Sequence, residues 1–265
     1  MIARVLRHIY GPVSLSVGFG LETADVDQRG KKALYSSQFP CQRLNDSHGD
    51  PRPCQPIWEG PKDGITGFMA ATFSWDSRDN DVMPRRGTFH EWSYETSRNS
   101  LVTGLFFKEI DFRRYTFSDL RYFSISDRTT VAHRTVFEVL SGAVPLYAFG
   151  EIGGSRRSKG LGGSDSLRGF DRQRFTDNVR LFTNTEVRQL LRNTKVFRQY
   201  LDWYGVLFVD TGQVAPVRED LGVGRTHWST GIGVRVSWNT DFVIRTDLGV
   251  SAEQVRFGVK YRNLF

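Results

Sequence analysis

The stretch VRFGVKYRNLF, residues 255 to 265, sorts its side chains by parity. Val255, Phe257, Val259, Tyr261, Asn263 and Phe265 fall on one face, and Arg256, Gly258, Lys260, Arg262 and Leu264 on the other. Successive side chains of a strand point to opposite faces, so nearly all the charge of this segment lies on one side. The same rule reads backwards through the chain. Phe242, Ile244, Thr246, Leu248 and Val250 oppose Asp241, Arg245, Asp247, Gly249 and Ser251. Trp228, Ile232, Val234, Val236 and Trp238 oppose His227, Ser229, Gly231, Gly233, Arg235 and Ser237. Val179, Leu181 and Val187 oppose Arg180, Phe182, Asn184, Glu186 and Arg188, and near the start Val13, Leu15, Val17, Phe19 and Leu21 oppose Ser14, Ser16, Gly18, Gly20 and Glu22.

Alternation alone also fits a soluble sandwich, whose apolar face would be the inner one. Three features point instead to lipid outside and water inside. The polar faces are dense in Gly and Arg, as a wet or plugged lumen requires. Aromatic residues gather at strand ends, with Trp228 and Trp238 bounding one segment and Trp75 and Tyr10 near turns, in the manner of interfacial girdles. The segments run to about ten residues, the length that crosses a bilayer at a tilt. The pattern therefore predicts an all-β fold, a transmembrane antiparallel β-barrel.

Composition agrees once the pattern is known. The 265 residues suffice for one barrel, and no apolar run reaches the roughly 18 to 20 residues of a spanning helix. A mean hydropathy of -0.40 says little, because a barrel hides its hydrophobicity in every second residue. The start, MIARVLRHIY, lacks the apolar core and cleavage site of a signal peptide, so an exported barrel would have had its leader removed or replaced. A net charge of +7 and a pI near 9.6 first suggest nucleic acid, but the basic residues are spread over alternating positions and no nucleic-acid motif is present. Anionic headgroups, lipopolysaccharide phosphates or an anion-favouring lumen suit such a distribution better.

Eleven candidate strands can be marked, at 2–9, 12–24, 65–76, 87–98, 107–125, 129–140, 178–189, 198–212, 227–238, 241–250 and 254–265. Bacterial single-chain barrels use even numbers, so about 12 strands are expected in a single domain spanning residues 1–265. Long connections at 25–63, 141–177 and 213–226 contrast with brief ones at 191–197 and 239–240, the asymmetry of extracellular loops and periplasmic turns. Parity slips near Arg113 and Arg114, which predicts a bulge. Cys41 and Cys54 share the polar 25–63 stretch. In an oxidising compartment they would close a short loop as a disulfide, stabilising it by about 3 kcal/mol, with two unrelated thiols or half a metal site as the alternatives.

The 37 residues between Leu140 and Asn178 contain LGGSDSLRGF, residues 161–170, followed by TEVR at 185–188 and FVDTG at 208–212. In these motifs, in the final strand and in WDSRDNDVMPRRG at 75–87, the chain resembles the BamA-like superfamily of outer-membrane barrels. This group is also called the bacterial surface antigen family and includes membrane-protein assembly factors and two-partner-secretion transporters. The resemblance runs from about Pro12 to Phe265. It implies that the 141–177 loop folds back into the lumen with Arg168, Gly169 and Phe170 at its tip, and that Phe208, Asp210 and Gly212 are its contacts on the wall, with Glu186 a second partner. It also implies that residues 75–87 form a periplasmic turn. Arg256, Gly258, Tyr261 and the terminal Phe265 match the family's C-terminal targeting signal, although Asn263 stands where an apolar residue is usual. Relatives that handle polypeptides usually carry POTRA domains ahead of the barrel, and some carry a patatin-like lipase. Here a strand begins almost at Met1, so the expectation is a barrel alone.

The residues agree independently. Parity puts Phe208 and Asp210 on one face with Asp202 and Tyr204, and Glu186 on one face with Arg180, Asn184 and Arg188. A guanidinium shielded from water favours a carboxylate it can bond in a fork, and Gly169 permits a sharp turn or a close approach. The competing arrangement leaves Arg168 solvated and pairs Asp210 with a neighbouring lumen arginine.

No G-x-S-x-G elbow, metal-ligand spacing or phosphate loop is present, so neither an enzyme nor a cofactor or metal is expected. The expected role is in outer-membrane biogenesis, membrane remodelling, or insertion or translocation of protein or lipid, by an integral protein of a Gram-negative outer membrane. A small anion-favouring pore with Arg180, Arg188, Arg235, Arg245 and Arg256 in its lumen, or a homo-oligomeric scaffold packed through Gly67, Ala71 and Gly205, are the alternatives. Expected partners are outer-membrane lipids and lipopolysaccharide, a periplasmic partner or client protein, and a second copy in a homodimer, with no nucleic acid.

Overall fold

Among the described residues, eleven strands follow one another in a single antiparallel sheet: β1 (Ile2–Tyr10), β2 (Val13–Ala24), β3 (Gly64–Asp76), β4 (Gly87–Thr96), β5 (Phe112–Ser124), β6 (Thr129–Gly142), β9 (Val179–Val196), β10 (Gln199–Ala215), β11 (His227–Trp238), β12 (Phe242–Val250) and β13 (Val255–Lys260). Two short strands, β7 (Glu151–Ile152) and β8 (Ser158–Lys159), form a separate hairpin inside the β6–β9 connection. The structure is a computed structural model that describes residues 2–24, 64–97, 111–239 and 242–264. Each segment marked from the alternation overlaps one of the eleven strands. Cys41 and Cys54, with the rest of the 25–63 loop, and Phe265 lie outside the described residues.

Burial along the strands is inverted relative to a soluble protein. The buried side chains of the wall include Glu95, Arg114, Glu138, Arg180, Glu186, Arg188, Asp210, Arg235 and Arg245, whereas Val17, Trp92, Leu207, Ile232, Phe257 and Val259 are exposed. A monomer in water rarely presents so continuous an apolar surface. The arrangement suits a barrel with its greasy face in hydrocarbon and its charged face turned inward. Aromatic pairs knit the outer face, with Phe73, Trp92 and Phe117 at centroid spacings of 5.6 and 5.3 Å and Tyr94 against Tyr115 at 4.9 Å. The sheet curls around the β6–β9 loop, which reaches β4 through Glu91, β6 through Glu138, β10 through Asp210 and β13 through Lys260.

Strict alternation in direction places the turns at 11–12, 77–86, 125–128, 197–198 and 239–241 at one end. At the other end the chain passes into 143–178, 216–226 and 251–254, and there too lie the ends of β2 and β4 and the starts of β3 and β5. The turn after β3 is rigid. Asp79 Oδ1 accepts the main-chain N–H groups of Arg85 and Arg86, and Asn80 Oδ1 those of Val82 and Met83. Gly87 closes it at φ +95°, where an added Cβ would lie 2.2 Å from the Ser77 carbonyl oxygen.

Three details depart from the sequence reading. The connection expected over 191–197 is strand as far as Val196: β9 and β10 run on to a two-residue turn, Phe197–Arg198, at φ 46° and 70°. This pairing of positive φ values matches the right-handed twist of the flanking strands. Beyond Gln189 most of β9 is exposed, so the hairpin projects past the region where one face must be buried, and alternation no longer marks it. No bulge occurs at Arg113 and Arg114. The register of β5 with β4 and β6 is continuous, Arg113 facing outward and Arg114 inward. What changes along β5 is its surroundings, since toward the turn end the outer face carries Asp119 and Arg121 while Leu120 and Tyr122 turn in against Leu264. Finally, the last strand ends at Lys260, and residues 261–264 leave the sheet to bring Leu264 into that inner cluster.

Candidate functional site

The loop between β6 and β9 enters the lumen because its backbone and side chains find there the partners that a buried chain requires. At its tip, Arg168 donates from its main-chain N–H and Nε to Asp210 Oδ2, at 3.0 and 2.9 Å, and from Nη2 to Asp210 Oδ1 at 2.6 Å. Its Nη1 donates to Glu186 Oε1. The guanidinium lies 3.5 Å from the centroid of the Phe208 ring, a cation–π stack between two buried side chains. Burial works against the charge of Arg168, but Asp210 and Glu186 outweigh it and hold its pKa above the ordinary arginine value.

A wider network fixes these partners. Asn184 Nδ2 donates to Asp210 Oδ1 at 2.7 Å and to the Ser166 carbonyl. Glu186 also accepts from Arg188 Nε at 2.8 Å and Arg235 Nη2 at 2.9 Å, while Asp247 pairs with Arg235 at 2.7 Å and Arg245 at 3.2 Å. Arg168, Arg188, Arg235 and Arg245 thus share Asp210, Glu186 and Asp247. Such an interior holds its shape only while every charge keeps its partner.

Glycines let the loop lie flat on the wall. A Cβ at Gly169 would fall 2.8 Å from both Ser229 Cβ and the Val250 carbonyl carbon, and one at Gly249 would fall 2.7 Å from the Arg168 carbonyl carbon. Phe170 packs beneath the tip with Leu161, Leu167, Phe175 and Phe182, a small apolar core inside the polar lumen. Gly212 lies against this core, where an added Cβ would fall 3.2 Å from Leu161 Cδ1. The structure therefore brings together Arg168, Gly169, Phe170, Glu186, Phe208, Asp210 and Gly212.

A second anchor was not singled out from sequence. Glu138 Oε2 accepts from the Gly153 main-chain N–H at 2.6 Å and from Thr116 Oγ1 at 3.0 Å, and Glu138 pairs with Arg180 at 3.1 Å. Glu95 pairs with Arg114 at 2.9 Å and Arg157 at 2.7 Å, and Glu91 accepts the Ser155 main-chain N–H at 2.9 Å. The signal was present: Glu91, Ser93 and Glu95 alternate with Trp92 and Tyr94, which puts two carboxylates on the inner face.

Of the residues assigned to the C-terminal signal, Arg256 pairs with Asp171 of the loop, and Gly258 gives Ser164 room, a Cβ there falling 3.0 Å from its Oγ. Tyr261 lies beyond the end of β13 and is exposed. At the base of the loop, burial lifts the Asp177 carboxyl to about 6 against the opposing main-chain N–H of Asn178 and the charge of Arg180.

Residues 3–257 match the Omp85 superfamily domain. Among solved structures, the chain is similar to BamA from Haemophilus ducreyi lacking POTRA domains 1–3, with 12% sequence identity and a TM-score of 0.62 over 98% of this chain and 53% of that one. The chain thus spans about half the length of that structure, and the likeness is one of fold. No curated protein matches it. With an eleven-strand sheet curled around an inserted loop and a family match over nearly its whole length, the chain belongs to the Omp85 superfamily.

Proposed function

We propose that this chain acts in biogenesis of the outer membrane, easing the entry of polypeptide or lipid segments into the bilayer, with the β6–β9 loop as a latch that keeps the lumen closed. Its long connections then face the exterior and its short turns the periplasm. The observation that carries this reading is the fork from Arg168 to Asp210 with its branch to Glu186. It ties the loop across the interior, leaving the wall and its edges, rather than an open channel, as the working surface. An anion-favouring pore draws little support, since Arg180, Arg188, Arg235 and Arg245 are each paired with a carboxylate.

The test is reconstitution of the chain into phosphatidylcholine vesicles, followed by addition of a urea-unfolded small outer-membrane barrel as client. Folding of the client, read from its heat-modifiable electrophoretic mobility, should run several-fold faster than in empty vesicles and in vesicles holding heat-denatured chain. Equal rates in all three overturn the proposal.

A further inference from the structure

A cavity of about 380 Å3 opens inside the sheet at the turn end, between the inner face of β4–β6, the β7–β8 limb of the loop and residues 261–264. Much of its wall is apolar, from Phe89, Leu120, Val136, Ile152 and Phe182. Arg156 and Arg262 also line it, and neither has an ion pair or hydrogen bond among the described residues. The carboxylates on the same wall are engaged elsewhere. Glu91 accepts from Ser155, Asp165 pairs with Lys260 at 3.1 Å, and Asp81 pairs with Arg78 at 3.2 Å.

The surroundings sharpen the need for an anion. Arg156 and Arg78 approach one ring, their guanidinium carbons 5.5 and 5.0 Å from the centroid of Phe89. Arg78 is neutralised by a fork to Asp76, at 2.8 and 2.6 Å, whereas Arg156 has no such partner. Burial, and then the facing Arg78, push the pKa of Arg156 down, and Tyr122, Asp76 and Asp81 offset this only in part. A bound anion would relieve both the desolvation and the repulsion.

The cavity is not sealed. Phe242 and Tyr261 line it, and both are exposed, 41% and 78%. The β12–β13 register ends at Arg245 and Lys260, so the wall beside Phe242 and Val243 is not covered by β13. The end of that strand is where an alkyl chain from the hydrocarbon layer would enter. The volume lies toward the small end of the roughly 300–1,000 Å3 typical of ligand pockets, which suits one chain rather than two.

We infer that this cavity binds an anionic single-chain amphiphile, its phosphate or carboxylate head held by Arg156 and Arg262 and its alkyl chain laid along the apolar wall. The inference does not depend on the assembly role proposed above, and its readout is binding, not client folding.

Equilibrium binding of radiolabelled dodecyl phosphate to the full chain in phosphatidylcholine nanodiscs, with empty nanodiscs subtracted, tests it. One saturable site per barrel is expected. Affinity should fall at least tenfold in the double variant Arg156→Gln, Arg262→Gln, which disturbs no ion pair among the described residues, and should hold in Arg225→Gln, an exposed arginine remote in sequence from the cavity lining. Inorganic phosphate and dodecanol should fail to displace the probe at equal concentration. Absence of saturable binding, an unaltered affinity in the double variant, or an equal loss in Arg225→Gln overturns the inference. Displacement by inorganic phosphate overturns the amphiphile and makes the site one for a free anion, and displacement by dodecanol removes the role of the head.

Discussion

Arg168 and Asp210, 42 residues apart in the chain, are joined by three hydrogen bonds, two from the guanidinium and one from the main-chain N–H. The contact fixes both the direction of the arginine side chain and the path of the loop backbone that carries it. Replacing Arg168 by Ala leaves Asp210 and Glu186 buried with fewer cations, a change that costs about 3–5 kcal/mol in comparable buried pairs. The thermal midpoint of the folded barrel should fall accordingly. Arg168→Lys should recover only part of the loss, because one ammonium cannot reproduce the planar fork. A midpoint for Arg168→Ala equal to that of the parent would show that the loop is held by other means.

The two anchors of the loop should open separately. In Glu138→Gln, hydrogen exchange should quicken over residues 151–159, where the Gly153 N–H loses its charged acceptor, while residues 163–170 stay protected. In Asp210→Asn the pattern should reverse, since the Arg168 N–H depends on that carboxylate. Local opening of this kind is what exchange measures. Simultaneous loss of protection in both limbs, in either variant, would mean that the loop is one cooperative unit.

Close approach rather than turn geometry explains Gly169, and this can be separated from a general intolerance of the loops to substitution. Gly169→Ala forces a Cβ to 2.8 Å from Ser229 Cβ and the Val250 backbone, neither of which is the end of a flexible side chain. Overpacking of this kind costs about 1–3 kcal/mol. Gly222→Ala, where no described residue lies within 4 Å of the new Cβ, should change stability by less than about 0.5 kcal/mol. Equal effects at the two positions would contradict the packing argument.

Asp177 gives the loop base a dependence on pH. Burial raises its folded pKa to about 6, above the ordinary carboxylate value of 3.8 that the unfolded chain retains. The folded state therefore holds this proton more tightly. Its stabilising contribution is complete below about pH 4 and is lost as pH rises through about 6. The difference in thermal midpoint between pH 5 and pH 7 should shrink in Asp177→Asn, which cannot ionise. An unchanged difference would assign the pH dependence to another group.

The eleven strands were legible because a wall with unlike solvents on its two faces imposes period-two alternation on every residue that crosses it. Where that constraint lapses, so does the signal. Leu190 to Val196 extend β9 beyond the two-faced wall, and nothing in their order marks them as strand. Leu120 and Tyr122 imitate a parity slip because they face the inner apolar cluster rather than water. The tip contacts of Arg168 were readable from a motif together with the inward parity of Glu186 and Asp210. The second anchor relies partly on main-chain N–H groups at Gly153 and Ser155, which carry no side-chain signature; only the inward carboxylates Glu91, Glu95 and Glu138 could have disclosed it. The departure of residues 261–264 from the sheet depends on contacts with β4, β5 and β6, far away in sequence.

Every role assigned to this chain requires the apolar face of its sheet to lie against hydrocarbon. Spin labels attached to Leu207→Cys and Ile232→Cys, in a background with Cys41 and Cys54 replaced by Ser, report on that face in a phosphatidylcholine bilayer. Collision with molecular oxygen, which concentrates among acyl chains, should be frequent at both positions, and collision with a water-soluble nickel chelate rare. If the chelate reaches Leu207 and Ile232 as readily as oxygen does, the face is wet and the barrel has been read inside out.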